Sequence, residues 1–140
     1  MILEWTPYLA VGVSVIDDQH IELFNRFNRL YDALEQGKGK EEMSSVVKFL
    51  EDYVVTHFGM EEDVMNRYSY AAASAHKAQH ASFVKDFTSF KKQLATTGFS
   101  RPLVTDLLTR LSDWLMDHVG RSDQQLGKFL RVAMMVRKAA

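Results

Sequence analysis

The stretch THFGMEEDVM, residues 56–65, places a histidine and a glutamate four residues apart inside an apolar pattern. Four residues is about one helical turn, so His57 and Glu61 share a helix face. That pattern extends in both directions, from about Glu41 to Tyr68, with Val46, Leu50, Val54, Val64 and Tyr68 in phase. The face that should be a core therefore carries an imidazole and a carboxylate.

Three further segments show the same 3.6-residue period. One runs from about Asp17 to Gln36, with Phe24, Phe27, Tyr31 and Leu34 on one face and Asp17 or Asp18 as its expected N-cap. Another runs from about Ser74 to Ala95, with Phe83, Phe87, Phe90 and Leu94 in phase, and Gly98 follows it. The last starts near SRP at 100–102, carries Leu107, Leu111, Trp114 and Leu115, and breaks near Gly120. Short connections between long amphipathic helices predict an all-α fold: an up-down-up-down antiparallel four-helix bundle. Residues 1–13 read as an irregular N-terminal arm, and residues 128–140 as a basic amphipathic C-terminal tail. The tail is expected to pack on the bundle as a last helical turn; a linker, or a weak membrane or partner contact, is the alternative.

Composition narrows the function. At 140 residues the chain is expected to be one domain with a real core. A net charge of -1 offers nothing to nucleic acid or to an anionic surface. The chain has no cysteine, which excludes disulfides, thiolate metal sites and a cysteine nucleophile. No apolar run is long enough for a membrane span, and the N-terminus lacks the basic start of a signal peptide. A cytoplasmic location is the expectation.

The five histidines, His20, His57, His76, His80 and His118, all fall in phase with apolar positions. A single histidine on an apolar face is ordinarily a hydrogen-bonded core residue. Five independent placements at even odds would all point inward only about three times in a hundred. Burying five imidazoles without partners is costly, and a shared metal removes the difficulty. His76 and His80 stand one turn apart, as do His57 and Glu61, so each pair can chelate. A carboxylate has two oxygens and can bridge two metals. Asp123 is five residues past His118, which on a regular helix turns it away by about 140°. It joins His118 only if the helix bulges or ends, and Gly120 between them favours such a break. Glu62 is turned about 100° from Glu61 and reads as a supporting or surface residue.

In this order, DDQH (17–20), HFGMEE (57–62), HKAQH (76–80) and HVGRSD (118–123) resemble the hemerythrin signature, matching D-x-Q-H, H-F-x-x-E-E, H-x-x-x-H and H-x-x-x-x-D. Trp5 and the following VGV resemble the N-terminal arm of bacterial hemerythrins. The resemblance covers the chain from Trp5 to about Gly127, so residues 1–127 read as a hemerythrin-like domain. It implies a non-haem di-iron centre. His76, His80 and His118 would ligate one iron, and His20 and His57 the other. Glu61 and Asp123 would bridge them, with a solvent oxo or hydroxo group as third bridge. The first iron is then six-coordinate, and the second keeps one open position for O2, or for small anions such as azide or chloride. Leu115, Val119, Phe24 and Trp114 are the expected apolar wall of that O2 pocket; plain core packing is the alternative for each. Tyr53, four residues before His57, reads as a core tyrosine.

The resemblance implies reversible O2 binding, for transport, storage, delivery or sensing, by a protein that is not an enzyme. The alternative is a di-iron redox enzyme or sensor handling O2, peroxide or nitric oxide. Oxidising di-iron bundles carry a Glu-x-x-His pattern that is absent here. Imidazole and carboxylate also accept zinc or manganese, so spacing alone does not select iron. No protein partner is indicated.

Overall fold

A computed structural model describes residues 3–139, with side chains described through Met135. Among the described residues there are six α-helical segments: α1 (Ser14–Glu35), α2 (Gly39–Tyr53), α3 (Gly59–Arg67), α4 (Ala73–Thr97), α5 (Arg101–Asp117) and α6 (Asp123–Ala139). A π-helical turn, Val54–Phe58, joins α2 to α3 without interruption, and a second, His118–Ser122, joins α5 to α6. The six segments are therefore four rods, α1, α2–α3, α4 and α5–α6, in an antiparallel four-helix bundle with no strand among the described residues. No described helix is long and apolar enough to cross a membrane.

Turn chemistry explains the reversals. Gly37 (φ 74°) follows α1, and Gly98 (φ 78°) ends α4 with its N–H bonded to Leu94. Ser100 caps α5 by accepting from the Leu103 N–H, and Pro102 sits in the first turn, where its missing N–H costs nothing.

Three sequence expectations need correction. Asp17 is not the cap of α1. The helix begins at Ser14 behind Val13, and the Asp17 carboxylate reaches back to the Val11 and Gly12 N–H groups instead. The fourth rod does not break at Gly120; it bulges there and continues as α6. The apolar phase drawn through Val54, Val64 and Tyr68 is also shifted. Those three are half-buried, whereas Tyr53 and Met65 are core residues. A π turn holds one residue more than an α turn, so a 3.6 period drawn across it slips.

The arm is irregular apart from a 3-10 turn at Pro7–Leu9, yet it is firmly tied down. The Asn28 side chain both donates to and accepts from the Leu3 backbone. Gln124 donates to the Tyr8 and Ala10 carbonyls. Val11 lies so close to α6 that a Cβ on Gly127 would sit 2.3 Å from its carbonyl oxygen. The division at residues 127 and 128 falls inside α6, and Leu130 just beyond it is fully buried. Of the tail, the side chains from residue 136 lie outside the described residues.

Buried apolar residues form two clusters. The larger one includes Phe24, Phe27, Leu50, Phe58, Phe83, Leu115 and Val119. The smaller, basal one is Val11, Ile16, Met65, Leu126 and Leu130. On every rod the chain passes from one cluster to the other through the same level, and the histidines stand at that level.

Candidate metal centre

Among the described residues, the buried polar and charged side chains are seven: His20, His57, Glu61, His76, His80, His118 and Asp123, each no more than 3% exposed. The structure brings together every metal-ligating candidate that the spacing singled out. α1 supplies His20, α2–α3 supplies His57 and Glu61, α4 supplies His76 and His80, and α5–α6 supplies His118 and Asp123. α4 gives two imidazoles because His76 stands one turn before His80. The matching place on α1 is Ile16, which joins the basal cluster, so α1 gives one.

Asp123 lies between the two groups of histidines. Its Oδ2 is 2.9 Å from His20 Nε2, and its Oδ1 is 3.2 Å from both His76 Nε2 and His118 Nε2. Glu61 also spans them, with Oε1 3.2 Å from His57 Nε2, 3.2 Å from His80 Nε2 and 3.6 Å from His76 Nε2. His80 Nε2 and His118 Nε2 approach to 3.2 Å. Two overlapping donor sets result, Glu61–His76–His80–His118 and His20–His57–Glu61–Asp123, each with ligand atoms within 4.8 Å of one another.

The donors fit a cation better than they fit each other. Both oxygens of Glu61 and of Asp123, and the Nε2 atoms of His20, His57 and His76, are buried without a hydrogen-bond partner. Groups of this kind are costly to bury unless paired or coordinated. Electrostatics agree. Burial alone would raise the Glu61 carboxyl, but His118, His57, His76 and His80 outweigh it and hold the group well below its usual range. Burial and the Glu61 charge push Asp123 up, and His118, His20 and His76 overcome both to lower it. In return, and against burial, Asp123 and Glu61 lift His76 to about 9 and raise His118. Without a metal, protons on these imidazoles supply the positive charge that the two carboxylates attract.

The imidazoles are held from outside as well. Gln19 accepts from His57 Nδ1, and Gln79 accepts from His118 Nδ1 at 2.6 Å. Tyr53 stacks on His57 (4.5 Å between centroids), Phe58 on His80 (3.9 Å) and Trp114 on His118 (4.3 Å). Tyr53 is a buried core residue; burial, then the charges of Glu61 and Asp123, raise its phenol well above the usual value and keep it neutral. Glu62 is half-buried, with Oε2 3.6 Å from His80 Nδ1. Sequence reasoning passed over Gln19 and Gln79. The signal was present, because a Gln-His pair occurs at both 19–20 and 79–80.

Of the residues expected to wall an O2 pocket, Leu115, Val119 and Phe24 are fully buried in the larger cluster. Trp114 is half-buried, lies flat on His118 and donates from Nε1 to the Gln79 carbonyl.

Comparison with known proteins agrees with this geometry. The family model described as "Hemerythrin HHE cation binding domain" matches residues 11–130. A bacteriohemerythrin of Pseudomonas aeruginosa (strain LESB58) is 31% identical over 121 residues, covering 86% of this chain and 76% of that protein. A bacteriohemerythrin of Methylococcus capsulatus is 31% identical over 130 residues, covering 92% and 97%. A hemerythrin-like protein of Naegleria gruberi is 29% identical over 121 residues, covering 86% and 87%. With five histidines and two carboxylates converged in one buried layer, the chain belongs to the hemerythrin family.

Proposed function

We propose that the protein binds O2 reversibly at a non-haem di-iron centre, for transport, storage, delivery or sensing, and that it is not an enzyme. The observation that carries this reading is the buried layer of carboxylate and Nε2 atoms without hydrogen-bond partners. His76, His80 and His118 would hold one iron and His20 and His57 the other, with Glu61 and Asp123 shared between them and a solvent oxo or hydroxo group completing the bridge. The shared contacts of Glu61 and Asp123 support that division. When bound, two irons supply two electrons and, on the side with two imidazoles, an open position for O2 or a small anion.

The chain's own residues do the rest. Three aromatic rings and two glutamines fix three of the five imidazoles, His57, His80 and His118, before any metal arrives, which lowers the ordering cost of binding. Leu115, Val119 and Phe24 exclude water from the layer, and a dry surround slows proton delivery and protects reversible binding from oxidation. The donor balance, five imidazoles to two carboxylates, favours carriage over the carboxylate-rich pattern of oxidising bundles. A cytoplasmic location belongs to the same proposal. Metal analysis of the purified protein tests it: two irons per chain are expected, and a single zinc or no metal would overturn it.

A further inference from the structure

We propose that Gln79 is a positioning residue that holds His118 in the one tautomer able to bind metal through Nε2. The proposal rests on the di-iron reading above. The Gln79 side-chain oxygen receives two donors, His118 Nδ1 at 2.6 Å and Ser122 Oγ at 2.7 Å. Its backbone carbonyl receives a third, Trp114 Nε1 at 3.3 Å. One residue of α4 is thereby tied to Trp114, one turn ahead of the stretch where α5 bulges into α6, and to the first and last residues of that stretch, His118 and Ser122.

The amide has two faces, and they dictate opposite chemistry. With the amide oxygen toward His118, the neutral ring that binds metal carries its proton on Nδ1 and keeps a lone pair on Nε2. That lone pair faces Asp123 Oδ1 and His80 Nε2, each at 3.2 Å. With its amino group toward His118, Nδ1 would have to accept, and the proton of a neutral ring would sit on Nε2, where it blocks coordination. Ser122 fits the first orientation, in which its hydroxyl donates to the same oxygen.

The other helical hairpin repeats the device. Gln19, directly before His20, accepts from His57 Nδ1, as Gln79, directly before His80, accepts from His118 Nδ1. Tyr53 and Trp114, each four residues before the histidine it covers, complete the match. The halves differ in that Gln79 is held by Ser122 as well.

The test is anaerobic competition for Fe(II) between a chromophoric chelator and four proteins: the unaltered chain, Gln79→Leu, Gln79→Glu and Val46→Ala. Val46 is a core residue of α2 remote from the layer, and its truncation controls for lost stability. Gln79→Leu is expected to weaken one of two iron sites about 10- to 100-fold, the usual effect of losing such a partner. Gln79→Glu, still an acceptor, should restore affinity to within a few-fold, and Val46→Ala should keep it while lowering the melting temperature. Equal affinity in Gln79→Leu and the unaltered chain would overturn the proposal while leaving the di-iron reading intact. So would equal losses in Gln79→Leu and Val46→Ala. Failure of the unaltered chain to bind two irons would overturn both. If Gln79→Leu does not fold, Gln19→Leu tests the same device on the other iron.

Discussion

His20 Nε2 lies 2.9 Å from Asp123 Oδ2, a contact that crosses the bundle from the first rod to the fourth with both side chains fully buried. The second π turn makes it possible. On a continuous α-helix, five residues past His118 would turn Asp123 well away from the core. The extra residue in His118–Ser122 brings it back, so that one carboxylate meets His20 on one side and His76 and His118 on the other. Asp123→Ala is expected to lower bound metal from two ions to one or fewer per chain, measured by elemental analysis after loading. Two ions retained at normal affinity would remove Asp123 from the site.

Metal-free protein should show an asymmetric pH profile. Glu61 and Asp123 have lowered pKa values, so they contribute stability above their ordinary range and lose it as pH falls through the folded values. His76, lifted to about 9, contributes fully below its ordinary 6.5 and loses that contribution as pH rises through 9; His118 acts in the same sense. Melting measured in chelator should therefore fall by about 5 °C or more between pH 6 and pH 10. Metal-loaded protein should be flatter over the same range, because a cation replaces the protons.

The two π turns are where the helical period of the sequence and the folded chain part company. The four rods, the five histidines and Glu61 were legible from the period and from one-turn spacings; Asp123, five residues past His118, entered the ligand set only through the motif resemblance. Met65 was not legible, because a period drawn through Val54 assumes α geometry where the chain is π-helical. Nor was the Asp17 bond to Val11 and Gly12, since a carboxylate near a helix start reads as a cap whether it serves the helix or the arm before it. Gln19 and Gln79 escaped notice because polar residues beside a ligand look like surface until a partner from another rod is placed against them.

Leu115→Ala tests the dry wall. A cavity at a fully buried leucine should cost about 2–5 kcal/mol in chemical unfolding. If Leu115 also excludes water from the iron, spontaneous oxidation in air should speed several-fold. A comparable truncation at Leu50, on the second rod, should cost similar stability without that acceleration. Equal oxidation rates in the two variants would reduce Leu115 to core packing.

Gly127→Ala addresses the arm. Its new Cβ would meet the Val11 carbonyl oxygen at 2.3 Å and the Val11 Cβ at 2.6 Å. Backbone cannot yield as a flexible side chain does, so the arm must shift from the basal cluster, at about 1–3 kcal/mol. Thermal melting should show the loss, while metal content should stay at two ions per chain. An unchanged melting temperature would mean that the arm docks more loosely than its contacts with Asn28 and Gln124 indicate.

The central claim, reversible O2 binding, is tested most directly by the visible absorption of iron-loaded, anaerobically reduced protein before and after air is admitted and then removed. The account predicts a nearly colourless reduced form, a charge-transfer band that rises with oxygen, and its disappearance when oxygen is withdrawn. Direct passage to the oxidised form, with no band that reverses, would contradict it.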